Sequence, residues 1–190
     1  MMGRAGDRAK DSGGNIVQAF RFIVAFGLML GGILAAGGLA APAARAQEEQ
    51  SLLAGGVGAF DLIQDDDTAM DFRIEYRHGS GLWFFKPWFG LEGTSDGGFY
   101  GLGGILADFN LTPNLILTPS IGAGAYAEGD GKDLGHVIEF RSQIELAYRF
   151  DNASRIGLAF SHISNAGLGT ENPGTEVINL YYALPVGSLF

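Results

Sequence analysis

From Met70 to His78 the chain alternates strictly. Met70, Phe72, Ile74, Tyr76 and His78 occupy the even positions, with Asp71, Arg73, Glu75 and Arg77 between them. A longer run does the same. Ile138, Phe140, Ser142, Ile144, Leu146, Tyr148 and Phe150 alternate with Glu139, Arg141, Gln143, Glu145, Ala147 and Arg149. A period of two over such lengths specifies β-strand, because successive side chains point to opposite faces. Two architectures take such strands. A soluble sandwich hides the apolar face and wets the polar one, whereas a membrane barrel turns apolar side chains to lipid and polar ones inward. Periodicity by itself does not separate them.

Three further features favour the barrel, and the first is at the N-terminus. Arg4, Arg8, Lys10 and Arg21 precede an apolar run from Phe22 to Leu39, and Ala44-Arg45-Ala46 follows as a small-x-small cleavage pattern. This reads as a secretory signal over residues 1–46, with the mature domain over 47–190. A retained membrane helix is the rival reading, but Gly27, Gly31, Gly32, Gly37 and Gly38 interrupt the run. Removing the leader's five basic and two acidic residues from 12 Lys/Arg and 21 Asp/Glu leaves seven against nineteen, a net charge of −12. Such an acidic chain lacks the basic face that nucleic acid requires. Without cysteine there is no disulfide framework, thiol nucleophile or lipidated cysteine. Three histidines in no metal-binding motif argue against zinc, and no cofactor is expected.

An exported all-β chain with strands near ten residues long fits a transmembrane barrel. The terminal Phe190, after an alternating segment, resembles the closing signature of bacterial outer-membrane proteins. Eight strands are expected, at about 51–62, 70–78, 81–92, 98–109, 114–127, 136–150, 154–166 and 175–186, forming an antiparallel eight-stranded transmembrane β-barrel. Their connections alternate. Residues 61–69, 92–97, 128–135 and 167–174 are longer and rich in polar residues and glycine, while 78–81, 110–114 and 151–153 are tight. Outer-membrane barrels have long outer loops and short periplasmic turns. The second and sixth strands face each other across such a barrel. Their inward residues, Asp71, Arg73, Glu75 and Arg77 with Glu139, Arg141, Glu145 and Arg149, are four acids and four bases. They are expected to pair as a structural network, since a small barrel has no room for a channel.

One segment departs from a purely structural pattern. Phe160-Ser161-His162-Ile163-Ser164-Asn165-Ala166-Gly167-Leu168 places a His and a Ser two apart, on one face of the seventh strand. A hairpin centred near Gly169 brings Glu176 opposite His162. These are the nucleophile, base and orienting carboxylate of a serine hydrolase. The same triplet also reads as a polar patch at a strand end. His162 and Ser164 share their face with Ile156, Leu158 and Phe160, and Glu176 shares its face with Ile178 and Leu180. The three groups therefore belong to the lipid-facing wall, at the outer leaflet. Polar groups there are costly unless they serve a function. The ester available in that leaflet is the acylated lipid A of lipopolysaccharide. Asn165, or backbone N–H groups from Asn165 to Gly167, would stabilise the oxyanion.

Phe160-Ser161-His162-Ile163-Ser164-Asn165-Ala166-Gly167, Asn172-Pro173-Gly174 and Glu176 resemble the lipid A 3-O-deacylase family, the PagL-type outer-membrane acyl hydrolases. The resemblance is close over about the last thirty residues and is one of pattern upstream. It implies an eight-stranded barrel with His162, Ser164 and Glu176 as the triad and Asn165 in the oxyanion hole. It implies release of the 3-position acyl chain of lipid A without a metal, at the outer membrane. Two other functions fit a small exported barrel: a non-catalytic role in membrane integrity or adhesion, and an outer-membrane phospholipase. Oligomeric state leaves no mark on the sequence. His78 and His136 read as interface or loop residues at opposite membrane edges. Asp65-Asp66-Asp67 reads as a solvated acidic loop, with a divalent ion bridging lipopolysaccharide phosphates as the alternative. Trp83 and Trp88 read as interfacial anchors.

Overall fold

The computed structural model describes residues 50–63 and 67–188. The leader over 1–46, Asp65, Asp66 and Phe190 lie outside the described residues. The strands are β1 (Leu52–Phe60), β2 (Ala69–Arg77), β3 (Lys86–Thr94), β4 (Phe99–Leu106), β5 (Phe109–Asn110), β6 (Leu115–Ala127), β7 (Ile138–Arg149), β8 (Arg155–Ser164) and β9 (Thr175–Pro185). Each pairs antiparallel with its neighbour. β1 also pairs with β9, and β4 with β6, which closes the sheet. The two-residue β5 continues β4 along β6 after a break at Ala107 and Asp108, so the barrel has eight staves. The break has a local cause. Asp108 turns inward, accepting from Lys86 Nζ at 2.9 Å, Arg155 at 3.0 Å and Thr118 Oγ1 at 2.6 Å. Such a bulge re-aims one side chain while the sheet continues on either side.

Burial alternates as a membrane barrel requires. On β2, Asp71, Arg73, Glu75 and Arg77 are buried, while Phe72 and Ile74 are each 49 % exposed. Phe89, Leu91, Leu146, Leu158 and Leu180 extend the exposed apolar band over β3, β7, β8 and β9. No helix among the described residues is long and apolar enough to cross a membrane. The strands pair their backbone groups around a closed ring, the condition that a chain crossing lipid with strands must meet.

The interior is a charge lattice spanning β2, β3 and β7. Arg77 reaches Glu75 and Glu145, each at 2.8 Å. Arg141 meets Glu75 and, at 2.8 Å, Glu92, and its guanidinium lies 4.5 Å above the Trp88 ring. Arg73 donates to Gln143 at 2.7 Å and lies 3.3 Å from Glu92. Planar guanidinium groups bridge several carboxylates at once, which suits a narrow lumen.

Three expectations change here. Arg149 and Glu139 are not in the lattice. Arg149 sits at the rim and donates to the Pro113 carbonyl at 2.7 Å, because β7 ends there, and the buried Glu139 carboxylate has no ion-pair or hydrogen-bond partner among the described residues. Trp88 is not an interfacial anchor. It faces inward, 3 % exposed, because alternation along β3 puts it on the inner face with Gly90 and Glu92. The third strand does not begin at 81. Residues 78–85 form a longer connection in which Phe85 N donates to Leu82 O at 3.1 Å and Trp83 adopts φ +59°. Gly81 is required there, since a Cβ would lie 1.8 Å from the Phe85 carbonyl oxygen. Trp83 itself is 86 % exposed on this turn, where an amphipathic ring suits a membrane edge.

The remaining connections divide as expected. Residues 61–63 and 67–68, 95–98, 128–137 and 165–174 gather at the end opposite Leu52 and Pro185, which pair with each other. That rim is tied internally. Asp61 accepts from Lys132 Nζ at 2.5 Å and from Thr175 Oγ1 at 3.2 Å. Burial pushes the Asp61 carboxyl up, but the Lys132 ammonium, the Asp67 amide and the Thr175 hydroxyl outweigh it and hold the group below its ordinary range.

Candidate active site

β8 and β9 form the hairpin that carries the site. Their register pairs Phe160 with Ile178, His162 with Glu176 and Ile163 with Thr175, as the symmetric hairpin predicts. Ile163 and Ser161 are buried inside the barrel, so His162 and Ser164, at alternate positions, lie on the outer wall and are half-buried there. His162 Nδ1 is 3.0 Å from Glu176 Oε1. Glu176 is only 7 % exposed although it sits on the lipid-facing side, and its Oε2 is buried without a hydrogen-bond partner. The imidazole is thus the one polar group recorded against this carboxylate's side chain, the arrangement that orients a catalytic histidine.

The other edge of the imidazole is set by Gly174. A Cβ there would lie 3.1 Å from His162 Cε1 and 3.6 Å from Nε2, and the residue has φ +66°. The positive φ favours glycine, and a side chain here would crowd the ring by a few tenths of an ångström. Nδ1 therefore faces Glu176, while the Cε1 and Nε2 edge lies against Gly174. Replacing Gly174 with alanine is expected to push the ring aside. Turnover should fall by about one to two orders of magnitude, since misplacing a reacting group by an ångström has that effect. The check is kcat against KM on a protein that still migrates as a folded barrel. Unchanged kcat would show that the ring does not depend on this contact.

Asn165 is not exposed to the substrate side. It is fully buried, and Nδ2 donates to the carbonyls of Leu134 at 2.9 Å and Glu171 at 2.8 Å. Its Oδ1 accepts from Gly167 N at 2.8 Å, and its own N–H donates to Asn172 Oδ1 at 3.0 Å. Both amide hydrogens are engaged, so the side chain fastens the 165–174 loop to the 128–137 loop. Leu168 N donates to Asn165 O at 3.1 Å. Among the described residues the Ala166 amide is the one in this run with no recorded acceptor. Ala166 and Gly167 both adopt positive φ, +55° and +83°. A non-glycine residue in that region is uncommon, and here it turns the chain out of β8.

Below the polar residues the wall is apolar. Ile144, Phe160 and Ile178 form one row across three strands, and Leu117, Leu146, Leu158 and Leu180 form the next. Between them lies a shallow groove of about 150 Å³ lined by Leu117, Ile144, Leu146, Leu158, Phe160 and Ile178. The His162–Glu176 pair and Ser164 thus stand above an apolar trough.

Comparison with known proteins is decisive on family. The family model described as lipid A 3-O-deacylase (PagL) matches residues 67–185. The chain belongs to the PagL family. That span contains His162, Ser164, Asn165 and Glu176. Among curated PagL proteins, the lipid A deacylase of Bordetella bronchiseptica is 36% identical over 70 residues, 36% of this chain and 39% of the relative. That of Pseudomonas aeruginosa is 35% identical over 74 residues, 37% of this chain and 42% of the relative. The chain thus spans about two fifths of the curated relatives it matches. The crystal structure of the outer membrane enzyme PagL superposes with a TM-score of 0.55 at 22% identity, covering 71% of this chain and 99% of that one. It shows the shared fold. Family and fold together make this chain an outer-membrane β-barrel protein.

Two features escaped sequence reasoning. The contact between Gly174 and the imidazole needs the hairpin geometry, although Asn172-Pro173-Gly174 already marked a turn. The left-handed backbone at Ala166 leaves no trace in a residue that seldom adopts it.

Proposed function

We propose that the protein is an esterase that hydrolyses the ester-linked 3-position acyl chain of lipid A, working from the lipid-facing wall in the outer leaflet. The observation that carries this reading is the 3.0 Å His162–Glu176 pair beside Ser164, on a wall that otherwise presents apolar side chains. His162 Nε2 takes the proton of the Ser164 hydroxyl as Oγ bonds to the acyl carbonyl carbon. Glu176 holds the Nδ1–H tautomer and stabilises the imidazolium. The tetrahedral oxyanion is met by the free Ala166 N–H, with Asn165 serving the hole by fixing the loop that presents it. Collapse breaks the ester C–O bond. The sugar oxygen leaves with the proton from His162, and the acyl group stays on Ser164. Water then repeats the sequence and releases the fatty acid. The acyl chain lies in the trough below. Residues 1–46 act as the export leader.

A non-catalytic barrel accounts for the strands but gives no reason to bury Glu176 against His162 on the lipid face. A phospholipase would use the same three residues on a glycerophospholipid. Mass spectrometry of lipids from cells with and without the protein separates these readings. Loss of one acyl chain from lipid A, with phospholipids unchanged, is the expected result. Lysophospholipid with intact lipid A would establish the phospholipase instead. No change in either would leave a structural barrel.

A further inference from the structure

The polar row on the wall extends to a third strand. β7 pairs Ser142 with His162, as β9 pairs Glu176 with it, so Ser142, His162 and Glu176 stand side by side on one face. Ser142 is half-buried, between outward-facing Phe140 and Ile144 on its own strand. Among the described residues its hydroxyl makes no recorded hydrogen bond. Within hydrocarbon there is no water to satisfy such a group. β7 otherwise turns Ile138, Phe140, Ile144, Leu146 and Tyr148 to this side, so a lone hydroxyl beside the imidazole has no structural use there.

We propose that Ser142 is a substrate-positioning residue, whose hydroxyl binds a hydroxyl group carried on the third carbon of the acyl chain being cleaved. This rests on the esterase reading above. The geometry sets which atom it meets. Ser164 pairs with Phe140, one row above Ser142, and diagonal neighbours across adjacent strands are about 7–8 Å apart. An acyl chain bound at Ser164 and running down to the Ile144–Phe160–Ile178 row must cross the Ser142–His162 row first. The carbonyl carbon sits at Ser164, and the next two carbons and a hydroxyl on the second of them span the gap. Nearer the trough only apolar groups await. A chain with a hydroxyl there is held in register for attack, and one without it leaves Ser142 unpaired.

The test uses the full barrel in mixed detergent micelles with two synthetic glucosamine lipids. They carry, at the 3-position, acyl esters of equal length with and without a 3-hydroxyl. The readout is the ratio of kcat/KM for the two, which a merely structural role would not move. The wild-type protein is expected to favour the hydroxylated ester by roughly five- to tenfold, the size of one hydrogen bond. Ser142→Val, with no hydroxyl, should bring the ratio close to one, and Ser142→Thr, which restores it in nearly the same shape, should retain the preference. Equal ratios in the wild type and Ser142→Val would overturn the proposal, as would a wild-type ratio near one. Cleavage of neither lipid, together with unaltered lipid A in cells, would instead overturn the esterase reading and this proposal with it.

Discussion

Ser164→Ala protein is expected to assemble the same barrel and to leave lipid A fully acylated. Ser164 ends β8 at the rim, outside the interior lattice, so its hydroxyl carries no load in folding. Members of a triad act as a unit, and loss of the nucleophile typically lowers turnover by about 10⁴-fold or more. His162→Ala should match it, because without the imidazole the serine keeps its proton. Glu176→Ala should be milder, since the carboxylate orients and stabilises without reacting, and Glu176→Gln should retain part of the activity. Ser161 provides the control. It lies one residue from His162 but faces the interior, 1 % exposed, so Ser161→Ala should retain deacylation. A serine-reactive probe should label Ser164, and labelling should drop in His162→Ala. The triad is wrong if the folded Ser164→Ala barrel, judged by the mobility difference of boiled and unboiled samples, still releases an acyl chain.

Arg141→Ala is expected to weaken the barrel by about 3–5 kcal/mol, the cost of removing one partner from a buried ion pair. The Arg141 side chain is 1 % exposed, and it alone links β7 to Glu75 on β2 and Glu92 on β3. Its loss leaves Glu75 with Arg77, and Glu92 with Arg73 at 3.3 Å, so like charges crowd the lumen with fewer cations among them. Trp88 loses the cation over its face as well. The lattice as a whole is a different matter. Replacing a complete buried ion network with apolar groups of similar volume is often neutral. Arg141→Met combined with Glu92→Gln should therefore recover part of the loss. Unfolding midpoints in detergent and urea read both effects. Full stability of Arg141→Ala would mean that the lattice is decorative and that the inner face of β7 serves another purpose.

The alternation of Met70–His78 and Ile138–Phe150 was enough to specify strands, and the closed sheet around a charged interior is a barrel turned inside out. No other arrangement satisfies both an apolar exterior and a charged interior in lipid. The His162–Glu176 pairing was also legible, because a hairpin has one register consistent with its hydrophobic face. Where the readable signal failed, the cause was competition between levels. Leu82-Trp83-Phe84-Phe85 looks like strand by composition, yet a close approach at Gly81 and a turn at Trp83 make it a connection and delay β3 to Lys86. Trp88 shares the inner face with Glu92 by the period-two alternation, and a guanidinium from β7 covers it.

Asn165 shows the boundary between the two kinds of information. Its place in the motif marks it as part of the site, but the bonds of its amide are made to Leu134 and Glu171, in two different loops. The same holds for Gly174 against His162 and for Ser142 beside it. By itself the sequence determined most of the strands, the alternation of faces along them and the chemistry available, because these follow from period two and residue type. Only the tertiary structure decided which groups from separate strands and loops meet. Closure of the ring and loop packing set those distances, and neither is encoded in any single stretch of chain.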